Sequence, residues 1–350
     1  MLNAAAAPVR EGRYFQDVMA QPQALLATHG WLAAAGRWRQ VQQFVTARPW
    51  KRIVLTGMGS SYHTFHPLNF ALIAAGQTPV MIEASELIHY GLALCDENSL
   101  VIAASQSGAS AEIVRLLEAN TRATILGVTN TADSPLARGA GLALLAQAGP
   151  EHSVSCKTYV AGMLTLQWLA GVMTGADERK TLGQLGAAAG LSGQYLRGWP
   201  AHTEALAGRL RTTRHLFLAG RGSSLSAVGT GALITKEATR LHAEGMSSAA
   251  FRHGPLEMLQ PDMWIGVFSG DERTRALNRR LLRDLAANGG QCDEIGPEAT
   301  MPAFRLPDAD PLLQPILEIL PVQMMTLALA ALAGREAGHF ERTSKITDTE

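Results

Sequence analysis

The sequence predicts an α/β protein of two related domains, each a parallel sheet covered by helices. Three observations lead there: the length of the chain, a repeat inside it, and the alternation of apolar runs of strand and helix length. At 350 residues the chain is longer than a single hydrophobic core usually supports, so two domains are expected. The segment from Lys51, KRIVLTGMGSSYHTFHPLNFALIAAG, returns from Arg214 as RHLFLAGRGSSLSAVGTGALITKEA. Laying Gly57 on Gly220 also brings Gly59 onto Gly222, Ser61 onto Ser224 and Gly91 onto Gly254. Each copy reads as an apolar strand, a Gly-x-Gly-Ser-Ser turn and an Ala- and Leu-rich helix, which is the β-loop-α unit of a parallel sheet.

The other elements follow from the same alternation. Residues before 46, with Trp31, Trp38 and Phe44 among alanines, are expected to form helices packed on the first sheet. Further strands of the first copy are expected over 79–82, 99–104, 123–129 and 142–146, with a helix over 111–119. A helical stretch between Gly175 and Gly198 joins the copies, and the second has strands near 215–219 and 264–268. Each copy is thus expected to be a doubly wound sheet, in which ligands bind beyond the carboxyl ends of the strands. The apolar stretch 316–334 contains Glu318, Pro321 and Gln323, which fits a buried helix rather than a membrane span.

Composition excludes several functions. Lys plus Arg is 30 and Asp plus Glu is 30, so no basic face is available for nucleic acid or an anionic membrane. Any anion site must be local, built from loops and helix ends. Three cysteines, Cys95, Cys156 and Cys292, without CxxC spacing suit a reducing compartment. The start of the chain lacks a basic segment followed by a long apolar core, so no signal peptide is expected. A cytoplasmic protein with neither nucleic-acid nor membrane partners is the expectation.

Two loops at strand ends are rich in hydroxyls: Gly59-Ser60-Ser61 and Ser105-Gln106-Ser107-Gly108-Ala109-Ser110. A phosphate is held by converging neutral donors from backbone N–H groups, hydroxyls and a helix N-terminus. Either loop alone could be an ordinary helix cap; two on one sheet, one of them repeated, favour a phosphate site. No Gly-Lys-Ser/Thr follows, and the third glycine of the dinucleotide fingerprint is missing, so no nicotinamide cofactor is expected. His63 and His66 could share a helix face, but no nearby carboxylate completes a metal site, so neither metal nor cofactor is expected.

With Ser105-Gln106-Ser107-Gly108, the stretch Lys236-Glu237, His242-Ala243-Glu244, Arg252-His253-Gly254-Pro255-Leu256 and the tail Ser344-Lys345-Ile346-Thr347, the sequence resembles the SIS (sugar isomerase) domain family. It resembles in particular the isomerase half of the glutamine–fructose-6-phosphate aminotransferases. The resemblance implies two tandem SIS domains, with N-terminal helices and a C-terminal tail over the active site. The implied division is a helical segment over 1–45, domains over 46–195 and 196–335, and a tail over 336–350. It also implies a phosphate held by Ser61, Ser105, Gln106, Ser107 and Ser110, with Gly59 and Ser60 in the same turn. Glu237 takes the place of the base moving a proton between C1 and C2 of an open-chain sugar. His253 takes that of the group assisting ring opening, supplied across the interface of a homodimer. Lys345 takes that of the lysine forming a Schiff base with the sugar carbonyl.

These residue types suit that chemistry. Proton transfer beside a carbonyl needs a carboxylate or imidazole of tuned pKa, and a Schiff base needs an amine that can lose its proton. A tail can close over the sugar and exclude water. Plainer readings remain: Glu237 as a solvated neighbour of Lys236, His253 as part of a turn, Lys345 as a tail lysine. The loop Glu151-His152-Ser153-Val154-Ser155-Cys156-Lys157-Thr158 resembles the family's loop over the sugar. Either Ser155 or Cys156 could face the ligand there, and Glu151 and Lys157 could pair.

Two departures bear on the reaction. No amidotransferase domain with an N-terminal cysteine accompanies these residues, so a nitrogen source of its own is not expected. Where aminating relatives tend to carry a lysine, three residues before the glutamate, this sequence has Ile234. The expected reaction is therefore isomerisation with deamination of a hexosamine 6-phosphate to a ketose 6-phosphate and ammonia. The alternatives are aldose–ketose phosphate isomerisation, fructosamine-phosphate deglycation, and a non-catalytic phosphosugar-binding regulator. In the second copy the place of the Ser-Gln-Ser-Gly loop reads Phe268-Ser269-Gly270-Asp271. One half is thus expected to hold phosphate and the other to carry the chemistry, with Gly222-Ser223-Ser224 supporting the fold.

Overall fold

Apolar runs with no polar alternation make strands that are covered on both faces, and two all-parallel sheets result. The structure is a computed structural model that describes residues 9–119 and 122–342. Helices α1 (Arg13–Met19), α2 (Gln21–Leu32) and α3 (Arg37–Val45) open the chain. Then come β1 (Arg52–Gly57), α4 (Gly59–His63), α5 (Phe65–Ala74), β2 (Pro79–Glu83), α6 (Ala84–Tyr90), β3 (Ser99–Ala104) and α7 (Ala111–Ala119). The first sheet finishes with β4 (Thr124–Thr129), α8 (Pro135–Gly139) and β5 (Leu142–Leu145), followed by α9 (Lys157–Thr174) and α10 (Glu178–Leu185).

Helices α11 (Ala188–Leu196) and α12 (Trp199–Arg209) lead to β6 (His215–Gly220), α13 (Leu225–Thr239), β7 (His242–Ser247) and α14 (Ser248–Phe251). The second sheet ends with β8 (Met263–Phe268), α15 (Glu272–Ala287) and β9 (Gln291–Ile295), and the chain continues through α16 (Gln314–Leu317) and α17 (Ile319–Leu332).

The strand orders are β2-β1-β3-β4-β5 and β7-β6-β8-β9, so the second sheet repeats the first without its last strand. In each, the chain leaves the two central strands toward opposite edges. That reversal opens a crevice beyond their carboxyl ends, between β1 and β3 and again between β6 and β8. The pairing of Gly57 with Ala104 sets the two hydroxyl-rich segments side by side at the first crevice.

Each sheet has its own core and its own covering helix. In the first unit α2 and α5 pack on α9, and Trp38 meets Trp168 edge to face at 5.4 Å between centroids. In the second, α12 and α13 pack on α17. Residues Gln314–Leu332 are long and apolar enough to cross a membrane, but 94% of their most apolar window is buried within the protein. Amphipathic helices close the outside. Helix α15 buries Asn278, Leu281 and Leu285 and is capped by Asp271, whose carboxylate accepts from the Thr274 N–H at 3.1 Å. A fully buried leucine contributes about 1.5–3 kcal/mol.

The chain threads the two units more often than a tandem repeat suggests. One unit holds the described residues of 21–151 and 157–189 with Arg342, and the other those of 9–20, 152–156 and 190–341. Helix α1 is therefore a correction: it does not pack on the first sheet. Tyr14 shares a hydrogen bond of 3.1 Å with Thr326 of α17, and Phe15 packs on Trp199 at 4.8 Å, both in the second unit. Strands β7 and β9 are additions, since the sequence pattern gave no strand at either place.

Candidate active site

The cradle at the first crevice is built from two turns whose glycines admit close backbone approach. Gly57 ends β1 where a Cβ would stand 2.7 Å from the Ala104 carbonyl oxygen. Gly59 has φ +51°, a left-handed conformation that glycine adopts at little cost. It opens α4, so Ser60 and Ser61 lie in the first turn of a helix rather than in an open loop. Both are half-buried, with hydroxyls beside the N–H groups that a helix start leaves free of intrahelical partners.

The second turn is fixed from within and from behind. Ser105 is buried, and its Oγ accepts from the Gly108 N–H at 3.1 Å and lies 3.5 Å from the Ser110 hydroxyl. Ser107 Oγ accepts from the Ala109 N–H at 3.2 Å. Gly108 has φ +63°, and a Cβ there would fall 2.1 Å from Ser134 Oγ and 2.8 Å from Thr129 Oγ1. The Gln106 carbonyl accepts from the Asn130 N–H at 3.1 Å and from the Thr129 hydroxyl at 3.3 Å. Thr129, Asn130 and Ser134 are thus the residues that hold the turn in shape. Sequence reasoning missed them because β4 and the turn after it read only as ordinary sheet and loop.

His63 closes α4, the helix that begins in the cradle's first turn. His66, the next histidine along, is pushed down to about 4 by burial and then by neighbouring His63, so it is uncharged near neutral pH. The rings of His63 and His66 stack 6.1 Å apart. No group of three metal-ligating side chains occurs among the described residues.

The second unit gathers a different set. Glu237 is half-buried on α13, with Lys236 exposed beside it. Ile234, fully buried, places hydrocarbon rather than a cation one turn before the carboxylate. Helix α13 ends at Arg240, which takes the left-handed φ of +62° and pairs with Glu341 at 2.5 Å. The Gly338 N–H donates to the Ala238 carbonyl at 3.2 Å, and the Gly338 carbonyl accepts from the Ser153 hydroxyl at 2.5 Å. The helix carrying Glu237, the 152–156 loop and the chain entering the tail are thereby tied together. Ser155 in that loop is half-buried while Cys156 is fully buried. Lys345 lies outside the described residues.

His253 lies on a different, exposed turn after α14. Its N–H donates to the Ala250 carbonyl at 2.9 Å, and Gly254 follows at φ +129°. That conformation belongs to glycine, so the His-Gly pair has a backbone reason as well as any chemical one. Glu151 accepts from the Thr158 N–H at 3.0 Å and from its hydroxyl at 2.6 Å. There it caps α9, where a negative charge is favoured.

Residues 48–171 and 209–333 each match the SIS domain. The chain belongs to the SIS domain family. Its two SIS domains correspond to the two sheets, and the turns after β1 and β3 fall inside the first match. Among relatives, the glutamine–fructose-6-phosphate aminotransferase of Pyrococcus horikoshii is 30% identical over 85% of this chain and 52% of its own length. That of Pyrobaculum aerophilum is 27% identical over 96% of this chain and 57% of its own. The SIS chain thus spans about half the length of the curated relatives it matches.

Solved structures share the architecture. The C-terminal domain of glucosamine-fructose-6-phosphate aminotransferase from Francisella tularensis superposes with a TM-score of 0.83 at 19% identity, over 94% of this chain and 99% of that one. Tagatose-6-phosphate ketose/aldose isomerase from Escherichia coli gives 0.80 at 18% identity, over 96% and 97%. Glucosamine-6-phosphate deaminase from Thermotoga maritima gives 0.76 at 17% identity, over 95% and 99%. At these identities the likeness is one of fold.

Proposed function

We propose that the chain is a phosphosugar isomerase that releases ammonia, converting a hexosamine 6-phosphate and water into a ketose 6-phosphate and ammonia. The observation that carries this reading is the hydroxyl-lined cradle at the β1/β3 switch point. It offers a phosphate Ser61, Ser105, Ser107 and Ser110 hydroxyls and a helix start, the neutral donors such a group takes. Gln106 and the backbone of Gly59 and Ser60 complete it, and Ser155 is assigned to the sugar.

In this reading His253 assists opening of the sugar ring. Glu237 then takes the proton from C2 and returns it at C1, turning the amino aldose into a ketose imine. Lys345 attacks C2 of that imine and displaces ammonia. Water releases the ketose and regenerates the amine, so the sum consumes one water. Glu237 is half-buried on α13, and a carboxylate is the type of group that moves a proton beside a carbonyl. Arg240, one turn beyond Glu237, holds Glu341. From there to Lys345 the chain can extend at most about 14 Å. His253 is exposed in a single chain, which accords with its use across a homodimer interface.

The test is to incubate the purified chain with a panel of hexosamine 6-phosphates and assay ammonia and ketose. Silence across the panel sinks the proposal, and ketose without ammonia moves the chain to aldose–ketose isomerisation. Glu237→Gln is expected to abolish turnover while phosphosugar binding persists. Retained turnover would remove Glu237 from the mechanism.

A further inference from the structure

The crevice between β6 and β8 is the second sheet's counterpart of the cradle, and a side chain of the protein fills it. The turn Gly222–Ser224 follows β6 as Gly59-Ser60-Ser61 follows β1, with φ of +58° at Gly222 against +51° at Gly59. Ser269-Gly270-Asp271 follows β8 as Ser105-Gln106-Ser107 follows β3. In the first crevice the Ser61 hydroxyl belongs to a half-exposed residue. In the second, Ser224 is 2% exposed and donates its hydroxyl to Oε1 of Glu318 at 2.8 Å.

Glu318 stands directly before α17 and is fully buried. Gln314 Nε2 donates to the same Oε1 at 2.8 Å, and Oε2 has no hydrogen-bond partner among the described residues. The opposite wall is polar as well. A Cβ on Gly270 would lie 3.8 Å from Ser224 Oγ, and the buried Ser269 Oγ and Asn278 Oδ1 are also without partners among the described residues. The charged neighbour that acts on Glu318 is Asp271, of its own sign. Glu318 makes no ion pair among the described residues, and an acid buried without one costs free energy, so ion pairing there does not explain it. What holds it is a serine hydroxyl at the start of the 15-residue helix α13, the type of donor that the first crevice presents to solvent.

We propose that the second SIS domain contains an oxyanion pocket of the same design as the first, kept shut by the Glu318 carboxyl. That carboxyl takes the Ser224 hydroxyl which phosphate, or another tetrahedral oxyanion, would otherwise take. The chain then holds one phosphate rather than two, and a sugar phosphate has a single productive place to dock. The inference borrows from the proposed function only the choice of phosphate as the probe.

The experiment is equilibrium dialysis of the full chain against radiolabelled inorganic phosphate. Glu318→Ala empties the pocket and is expected to bind about one phosphate per chain more than wild type. Glu318→Gln keeps it filled and adds none, and Ser224→Ala placed on Glu318→Ala removes the gain. No gain in Glu318→Ala overturns the proposal. Should that variant not fold, Ser224→Ala alone decides. Phosphate binding equal to wild type supports a shut pocket, and loss of a phosphate shows an open one and overturns it. Because the increment over wild type is read, a wild type that binds no phosphate counts against the first cradle and leaves this proposal standing or falling on its own.

Discussion

Replacing Glu318 with glutamine turns a buried acid into a measurement of the second core. Burial raises the Glu318 pKa most and the charge of Asp271 adds to it, while hydrogen bonds from Ser224 and Gln314 oppose; the balance is a rise from 4.5 to about 7. A carboxyl whose folded pKa is raised favours the protonated form in the native state. Its contribution is therefore full below the unfolded pKa and is lost as pH rises through the folded one. At about 1.4 kcal/mol per pKa unit, wild type is expected to lose roughly 3 kcal/mol between about pH 4.5 and 7.5, and little beyond. Glutamine cannot ionise, so the variant lacks that loss. Melting curves followed by circular dichroism in phosphate-free buffers compare the two. At roughly 2–4 °C per kcal/mol for a unit of this size, the gap moves toward the variant by roughly 6–12 °C across that window. A gap constant to within about 1 °C over the window would refute the placement of an uncharged carboxyl in the crevice.

Three further outcomes follow from the first cradle and from His253. Ser61→Ala is expected to weaken sugar-phosphate binding by about 10- to 100-fold, the loss of one hydrogen bond to a charged group, with the melting temperature little changed. Ser105→Ala loses affinity and also loosens the loop, because Ser105 Oγ accepts from the Gly108 N–H; calorimetry and melting curves separate the two effects. Mixing Glu237→Gln with His253→Ala subunits, each inactive alone, should restore about a quarter of wild-type turnover if histidine is supplied in trans, since half of randomly assorted dimers regain one intact site. No recovery after verified subunit exchange would return His253 to its own chain or to the turn alone.

Strands whose burial is two-sided were legible as sequence. β1, β3, β6 and β8 are runs such as SLVIAA and MWIGVF, in which successive residues are apolar on both faces of the strand. β7 and β9, HAEGMS and QCDEI, lie at the edges of their sheet, where one side faces no strand and polar residues are tolerated. They carry no apolar period to detect. The hydroxyl turns were legible because their donors are contiguous in the chain. The shell of Thr129, Asn130 and Ser134 was not, because each acts through a backbone group more than twenty residues away or through a close approach at Gly108. Glu318 was visible only as a charge that interrupts an apolar run. Its partner Ser224 is 94 residues distant, and no local pattern connects the two.

The pairing of Tyr14 with Thr326 spans 312 residues, and it sets an order on how the protein can be made. During synthesis Tyr14 leaves the ribosome 312 residues ahead of Thr326, which lies on the helix that α1 packs against. Domains generally fold as they appear, so the first sheet can close while the second waits for its missing wall. Closing so long a loop costs little more than closing one half its length, and the delay is one of time rather than of free energy. Until α17 arrives, the apolar face of α1 must stay exposed or be sheltered. The helix that completes the second unit is therefore translated long after α1, which belongs to the same unit.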